Sequence, residues 1–288
     1  MLHKEWEMGL LRVTVEPQQI SRVRCRPIAD SDLNALADLL SRGFPSTRRG
    51  FWTNGFARWQ HLPPIEGMPR YGYMLDGGMG PVGVILLISS LRGNQVIANL
   101  SSWYVEPAWR THSTMLIGLA TKLRHVTYLN ASPAPHTWRT LQAQGFAPYN
   151  FGRSAVFPLP GRGHISEDIP DDLPETQLLR DHRKLGWVSV VVEKNGIVSP
   201  FVFKPRILHR PPLPMMDVMF TRSPDDFRRC ASALAKYFLG HGSVGFLIDG
   251  DMGGHLSHYV EGKEPRYFKG PYRPMLGDLA YTEKVLFG

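Results

Sequence analysis

Cysteine is almost absent: the 288 residues hold only Cys25 and Cys230. Two thiols so far apart in sequence make neither a disulfide framework nor a metal knuckle, so both read as buried thiols. Long apolar runs are missing as well. The stretch from Met1 to Glu16 carries Glu5 and Glu7 around a brief Met-Gly-Leu-Leu patch, too short and too charged for a signal peptide or a membrane span. The expectation is a cytoplasmic protein without a membrane partner. Acidic residues are the minority, 25 against 33 Lys and Arg, which gives a net charge of +8 and favours anionic partners. The basic residues form no long run. Their tightest groups, Arg48-Arg49, Arg180 to Lys184 and Arg206 to Arg210, read as a solvated surface and not as a nucleic-acid stripe. No metal site is expected. Asp249-Gly-Asp251-Met-Gly-Gly-His255, with His258 beyond, lacks the spacing of a calcium loop and reads as a glycine-rich loop.

What the chain does have is length for two ordinary domains and a 43% hydrophobic content to fill two cores. Its most informative stretch runs from Asn99 to Arg124. Trp103, Tyr104 and Val105 favour extended structure, Pro107 ends it, and Met115, Leu116, Leu119, Ala120 and Leu123 recur at helical spacing. The spacing predicts a helix starting near Thr111 or Ser113. Its first turn, Thr111-His112-Ser113-Thr114, contains no acid, so free N–H groups and the positive dipole end would meet an anion unopposed.

This stretch resembles the pyrophosphate-binding motif of the GCN5-related N-acetyltransferases: Val105-Glu106-Pro107 ends a strand, and Arg110 to Met115 open a helix. A later strand, Val126 to Asn130, and a short helical run ending in Gly145-Phe146 match a second landmark of that family. Strand Val23 to Pro27, helix Ser31 to Gly43 and the hairpin of Tyr71 to Leu75 with Val82 to Ser90 supply the other parts. The resemblance implies an α/β (α+β) fold and acyl-coenzyme A, such as acetyl-coenzyme A, as cosubstrate. It assigns the coenzyme to Trp103, Tyr104, Val105, Arg110, Thr111, His112, Ser113, Thr114 and Met115. The family's phosphate-loop glycines are Ser113 and Met115 here. Its base glutamate is Asn99, its acid tyrosine Leu141, and its helix-start asparagine roughly Ala134, so neither usual catalytic side chain is present and none is assigned.

Residues 159–175 turn Pro/Gly-rich and then acidic, as a linker does. Beyond them the element order repeats: helix Gln177 to Leu185, strands Trp187 to Glu193, Ile197 to Phe203 and Met215 to Thr221, helix Pro224 to Leu239, strand Val244 to Asp249. Two further strands are expected at Pro265 to Lys269 and Ala280 to Phe287. The reading is two tandem acetyltransferase-like domains, each a mixed, mostly antiparallel sheet flanked by helices. Residues 1–21 form an N-terminal extension, 22–158 the coenzyme-binding domain and 176–288 a degenerate copy. In that copy Ser223-Pro224-Asp225-Asp226 makes a good helix start and a poor phosphate site, because two carboxylates would repel a diphosphate. Its role stays open among completing the acceptor groove, stiffening the first half and homodimerisation.

Other motifs are set aside. Gly78-Met-Gly80-Pro-Val-Gly83 precedes an apolar strand and reads as a hairpin turn, and His241-Gly-Ser243 has the wrong flanking order for a nucleophile elbow. His112 and His136 read as polar helix-start residues. Trp52, Phe56 and Trp59 share one helical face, which core packing explains by default. The functional expectation is an N-acyltransferase in which an acceptor amine attacks the thioester directly. Its rival is a non-catalytic module that binds the coenzyme, a protein partner or single-stranded nucleic acid through that basic, aromatic surface.

Overall fold

A computed structural model describes residues 23–209 and 212–287; the expected N-terminal extension, 1–21, lies outside the described residues. The described residues open with β1 (Arg24–Pro27), α1 (Leu33–Gly43) and α2 (Arg49–Gln60). The antiparallel strands β2 (Gly72–Asp76), β3 (Pro81–Arg92) and β4 (Gln95–Val105) follow, then α3 (Ser113–Ala120), β5 (Thr127–Asn130), α4 (Trp138–Ala143) and β6 (Ala147–Val156). After β7 (His164–Ser166) the pattern recurs with α5 (Thr176–Lys184), β8 (Val188–Lys194), β9 (Ile197–His209), β10 (Pro212–Thr221), α6 (Pro224–Leu239), β11 (Gly245–Asp249) and β12 (Ser257–Lys269). A last turn of helix, α7 (Glu283–Leu286), closes the chain.

The described strands form one twelve-stranded sheet in the order β1-β2-β3-β4-β5-β12-β6-β11-β10-β9-β8-β7. The two halves exchange strands: β12 lies between β5 and β6, while β6 lies between β12 and β11. Parallel pairing occurs once in each half, and the registers correspond. Ile97, Ala98 and Asn99 face Thr127, Tyr128 and Leu129, while Met215, Met216 and Asp217 face Gly245, Phe246 and Leu247. Asp217 is therefore the second half's counterpart of Asn99.

Alternation along the strands sorts the core onto two faces. On one, α1 and α2 cover Met74, Val84, Leu86 and Ile88, and α5 covers Val191, Val202 and Phe220. These two clusters share Leu185 and Tyr281, so they form one continuous layer. On the other, α3 and α4 cover Leu87, Ala98 and Leu100 in the first half, and α6 covers Phe203, Val218 and Phe246 in the second. Trp52, Phe56 and Trp59 are buried, and all three rings lie within 6.2 Å of Phe287 between centroids. Their faces are core and not a stacking surface. At Gly55, which lies among them, a side chain would run into Phe287 at 2.0 Å.

Three expectations change. The segment read as a linker carries β7, which pairs with β8. Residues 280–287 are not a strand: Thr282 starts α7, whose carbonyls are taken by Trp187, Lys204 and Arg58. Cys230 is buried, but Cys25 is only half-buried. No helix among the described residues is long and apolar enough to cross a membrane.

Candidate active site

β4 and β5 pair over three residues and then part. β5 ends at Asn130, where Ser132-Pro133-Ala134-Pro135 turns away with two prolines that cannot donate to a ladder. β4 continues to Val105 with a bulge: its pairing with β3 passes from Leu86↔Ser101 to Val84↔Tyr104, so β4 carries one extra residue. Ser102 there has φ of 45°, a left-handed conformation that costs a non-glycine residue energy and recurs at functional sites. The parting strands leave a cleft of about 180 Å³, walled by Leu100 to Trp103 on one side and by Asn130, Ser132, Pro133 and His136 on the other.

One acidic side chain enters this cleft. Glu283, the first residue of α7, accepts hydrogen bonds from the Asn99 amide and the Ser132 hydroxyl. Asn99 is fixed in turn, because its Oδ1 accepts from the Ala131 N–H at 3.3 Å. The position that lacks a carboxylate in sequence thus has one in space, supplied from the other end of the chain.

Glu283 is aimed by the segment before it. Arg92 at the end of β3 forms a bidentate pair with Asp278, at 2.7 and 3.0 Å, and also donates to the Ala280 carbonyl at 3.0 Å. The Tyr281 hydroxyl donates to Asp181 at 2.7 Å, and its N–H donates to Nε2 of His182 at 3.2 Å. His182 is fully buried, with Nδ1 against the Leu178 carbonyl at 2.7 Å, so neutral imidazole with its proton on Nδ1 satisfies both contacts. Burial lowers its pKa to about 4, with Arg92 acting in the same direction and Asp278 and Asp181 against it. The ordinary value is 6.5, so the unfolded chain takes up the proton first as pH falls. Stability should therefore drain away between about pH 6.5 and 4, by about 3 kcal/mol in all. Thermal unfolding from pH 7 to 4.5 checks this: His182→Gln should flatten that part of the profile, and an unchanged slope would show that other groups carry the acid sensitivity.

The residues expected to hold the coenzyme are not all brought to the cleft. Trp103 lines it and packs toward α3, and its Nε1 is buried without a partner. Tyr104 points to the opposite face, against Phe44 at 6.2 Å between centroids. Its ring lies so close to Gly43 that a Cβ there would sit 2.5 Å away. Val105 is buried where β4 ends. Arg110, Thr111, Thr114 and Met115 are exposed at the helix start, and His112 packs on Trp109 at 5.9 Å.

The α-helix begins at Ser113, as the spacing predicts. Pro107 nucleates a 3-10 turn over Pro107–His112 that runs into α3, with Glu106 at its N-cap paired to Arg42 at 2.8 Å. Two corrections follow. The Ser113 N–H is not free, since it donates to the Arg110 carbonyl, and Met115 is exposed instead of joining Leu116, Ile117 and Ala120 in the core.

In the second half Asp217 stands where Asn99 stands in the first, but it is locked in a buried ion network. Arg153 pairs with Asp217 and with Asp249 (3.1 Å), and Arg266 makes a bidentate pair with Asp249 at 2.8 and 2.9 Å. Burial would raise the Asp249 carboxyl pKa, but Arg266 and Arg153 hold it below the ordinary carboxylate range. Asp249 is thus a structural ion-pair partner. At the start of α6, Ser223 caps Asp226 N–H at 3.0 Å, and Asp225 and Asp226 pair with Arg228 and Arg229. The carboxylates sit in the first turn of α6, as the sequence puts them, each paired with an arginine of the same helix.

No family model matches the sequence, and no curated protein matches it. Solved structures do match the fold. A GCN5-related N-acetyltransferase from Anabaena variabilis superposes with a TM-score of 0.57 at 9% identity, over 86% of this chain and 72% of that one. A putative acetyltransferase from Pyrococcus horikoshii gives 0.54 at 13%, over 97% and 96%. A GCN5-related N-acetyltransferase from Kribbella flavida gives 0.53 at 10%, over 86% and 71%. At these identities the likeness is one of fold: the chain has the acetyltransferase fold of the GCN5-related superfamily.

Proposed function

We propose that the protein is an acyl-coenzyme A-dependent N-acyltransferase whose reaction takes place where β4 and β5 part, with Glu283 as the proton acceptor. The observation that carries this reading is the Glu283 carboxylate in the cleft, hydrogen-bonded to Asn99 and Ser132. The thioester would lie along the free edge of β4. The acceptor amine would arrive from the face covered by α1 and α2, the side on which Asn99 and Glu283 meet. Nitrogen attacks the carbonyl carbon, the N–C bond forms, and the amine proton passes to Glu283. Collapse of the tetrahedral intermediate breaks the C–S bond and releases the coenzyme as its thiolate, which takes a proton from solvent. The bulge at Ser102 and Trp103 lies outside the β3 register, and a main-chain N–H turned into the cleft there would suit the oxyanion.

Coenzyme phosphates would meet Arg110, Thr111 and the exposed start of α3. The Ser113 N–H reaches them only by giving up its bond to Arg110, so side chains carry more of this contact than a glycine loop would need. Arg110→Glu should therefore weaken acetyl-coenzyme A binding more than Arg124→Glu in the turn beyond the end of α3, and the gap should shrink at high salt. Titration calorimetry should also count one coenzyme per chain, because Asp225 and Asp226 oppose a second diphosphate.

The test of activity is thiol release from acetyl-coenzyme A with a panel of primary amines. Coenzyme binding with no turnover of any amine would overturn the enzyme reading.

A further inference from the structure

In the first half the edge of β4 beyond Asn99 is free and lines the cleft. The corresponding edge of β10 beyond Asp217 is covered. The Thr221 N–H donates to the Gly277 carbonyl at 3.0 Å, the Leu279 N–H donates to the Met219 carbonyl at 2.8 Å, and Phe220 and Asp278 form an antiparallel bridge between them. β10 also carries an extra residue here, at Met219, so the correspondence with the β4 bulge extends past the parallel pairs. Leu279 and Ala280 are buried among Met219, Phe220 and Val202. The fit is close: Gly277 has φ of 87°, and a Cβ on it would lie 2.5 Å from the Thr221 methyl.

Both clefts open toward the centre of the sheet, since Ala131, just past β5, packs in the same cluster as Met219 and Phe220. The segment that fills one cleft therefore reaches the other within a few residues. Between the two it is held from the first half by Arg92 and from the second by Asp181 and His182.

We infer that the second half's cleft is a socket for the chain's own residues 277–282, which take the strand-edge position a pantetheine arm would take in the first half, and that Arg92 and Asp278 are positioning residues for Glu283. The inference rests on Glu283 as proton acceptor. It gives the second half a role in the reaction without a coenzyme of its own: burial of Leu279 and Ala280 anchors the segment, and the Arg92–Asp278 pair, 17% and 16% exposed, sets where its next turn begins.

The experiment compares the full-length wild type with Arg92→Met, Arg92→Lys, Asp278→Asn, Glu283→Gln and the double variant Arg92→Met/Glu283→Gln. The readouts are kcat with a turned-over amine, KM for acetyl-coenzyme A, and hydrogen exchange of residues 277–287. Arg92→Met and Asp278→Asn should speed exchange in that segment and lower kcat by about 10²-fold, the scale of an ångström-sized misplacement, with KM for the coenzyme little changed. Arg92→Lys should recover part of kcat. In the Glu283→Gln background Arg92→Met should cost nothing further, because Arg92 acts only through that carboxylate. An equal loss in both backgrounds, or faster exchange with kcat unchanged, overturns the positioning role and leaves Glu283 as acceptor. A Glu283→Gln variant with full activity overturns the acceptor assignment itself. Two coenzymes bound per chain overturns the socket.

Discussion

Glu283→Gln is expected to lower the rate of thiol release by about 10²- to 10⁴-fold, the range general base catalysis supplies, while acetyl-coenzyme A affinity stays as it was. Glutamine keeps the size of the side chain; its carbonyl oxygen can accept from the Asn99 amide while its NH2 donates to the Ser132 hydroxyl, so the cleft should keep its shape. What disappears is the group that takes the amine proton. Asn99→Glu alone should do harm as well, by removing the amide donor to Glu283 and setting a second carboxylate against the first. The combination is the sharper test. Asn99→Glu with Glu283→Gln exchanges carboxylate and amide between two side chains already in contact, and should recover part of what Glu283→Gln loses. Full activity in Glu283→Gln would remove the carboxylate from the mechanism, and no recovery in the exchanged pair would mean that the proton leaves from the Glu283 side only.

Much of this architecture is legible in sequence because it rests on local rules. A continuous apolar run marks β3, proline at the first helical position and the Ser223 cap mark α6, and the fall into Pro/Gly-rich residues marks the turn from one half to the other. Asn99 was visible as the place where a base is missing. Glu283 was not visible as its replacement, because the two are 184 residues apart and nothing in a run such as Tyr281-Thr-Glu-Lys-Val-Leu-Phe287 distinguishes a cleft acid from a surface one. The strand exchange escaped for the same reason: periodicity tells that β12 is a strand but not which neighbours it takes. Ser102 is a different case, since a left-handed residue is usually announced by glycine or asparagine, and here it is not. The start of α3 at Ser113 was legible from its apolar spacing, whereas the 3-10 turn that Pro107 opens ahead of it was not.

The strand exchange makes the centre of the sheet the place where a single substitution should be most destabilising. Arg266 on β12 is fully buried and joins three parts of the chain: Asp249 at the end of β11, Glu264 on its own strand, and the Ala131 carbonyl past β5. Arg266→Met leaves the Asp249 carboxylate, 1% exposed, with Arg153 alone, and should cost about 3–5 kcal/mol, the usual penalty for stranding a buried charge. A lower urea midpoint with an unchanged slope would register it. Arg266→Met/Asp249→Leu should recover much of that loss, because it removes one charge of each sign and leaves Arg153 its contacts with Asp217 and Glu264. Catalysis should not recover in step. The double variant still lacks the donor to the Ala131 carbonyl, and the N–H of that residue is what holds Asn99 against Glu283. Stability near wild type with kcat still depressed is the expected outcome. Restoration of both together would show that Arg266 serves the fold alone, and that Asn99 keeps its place without it.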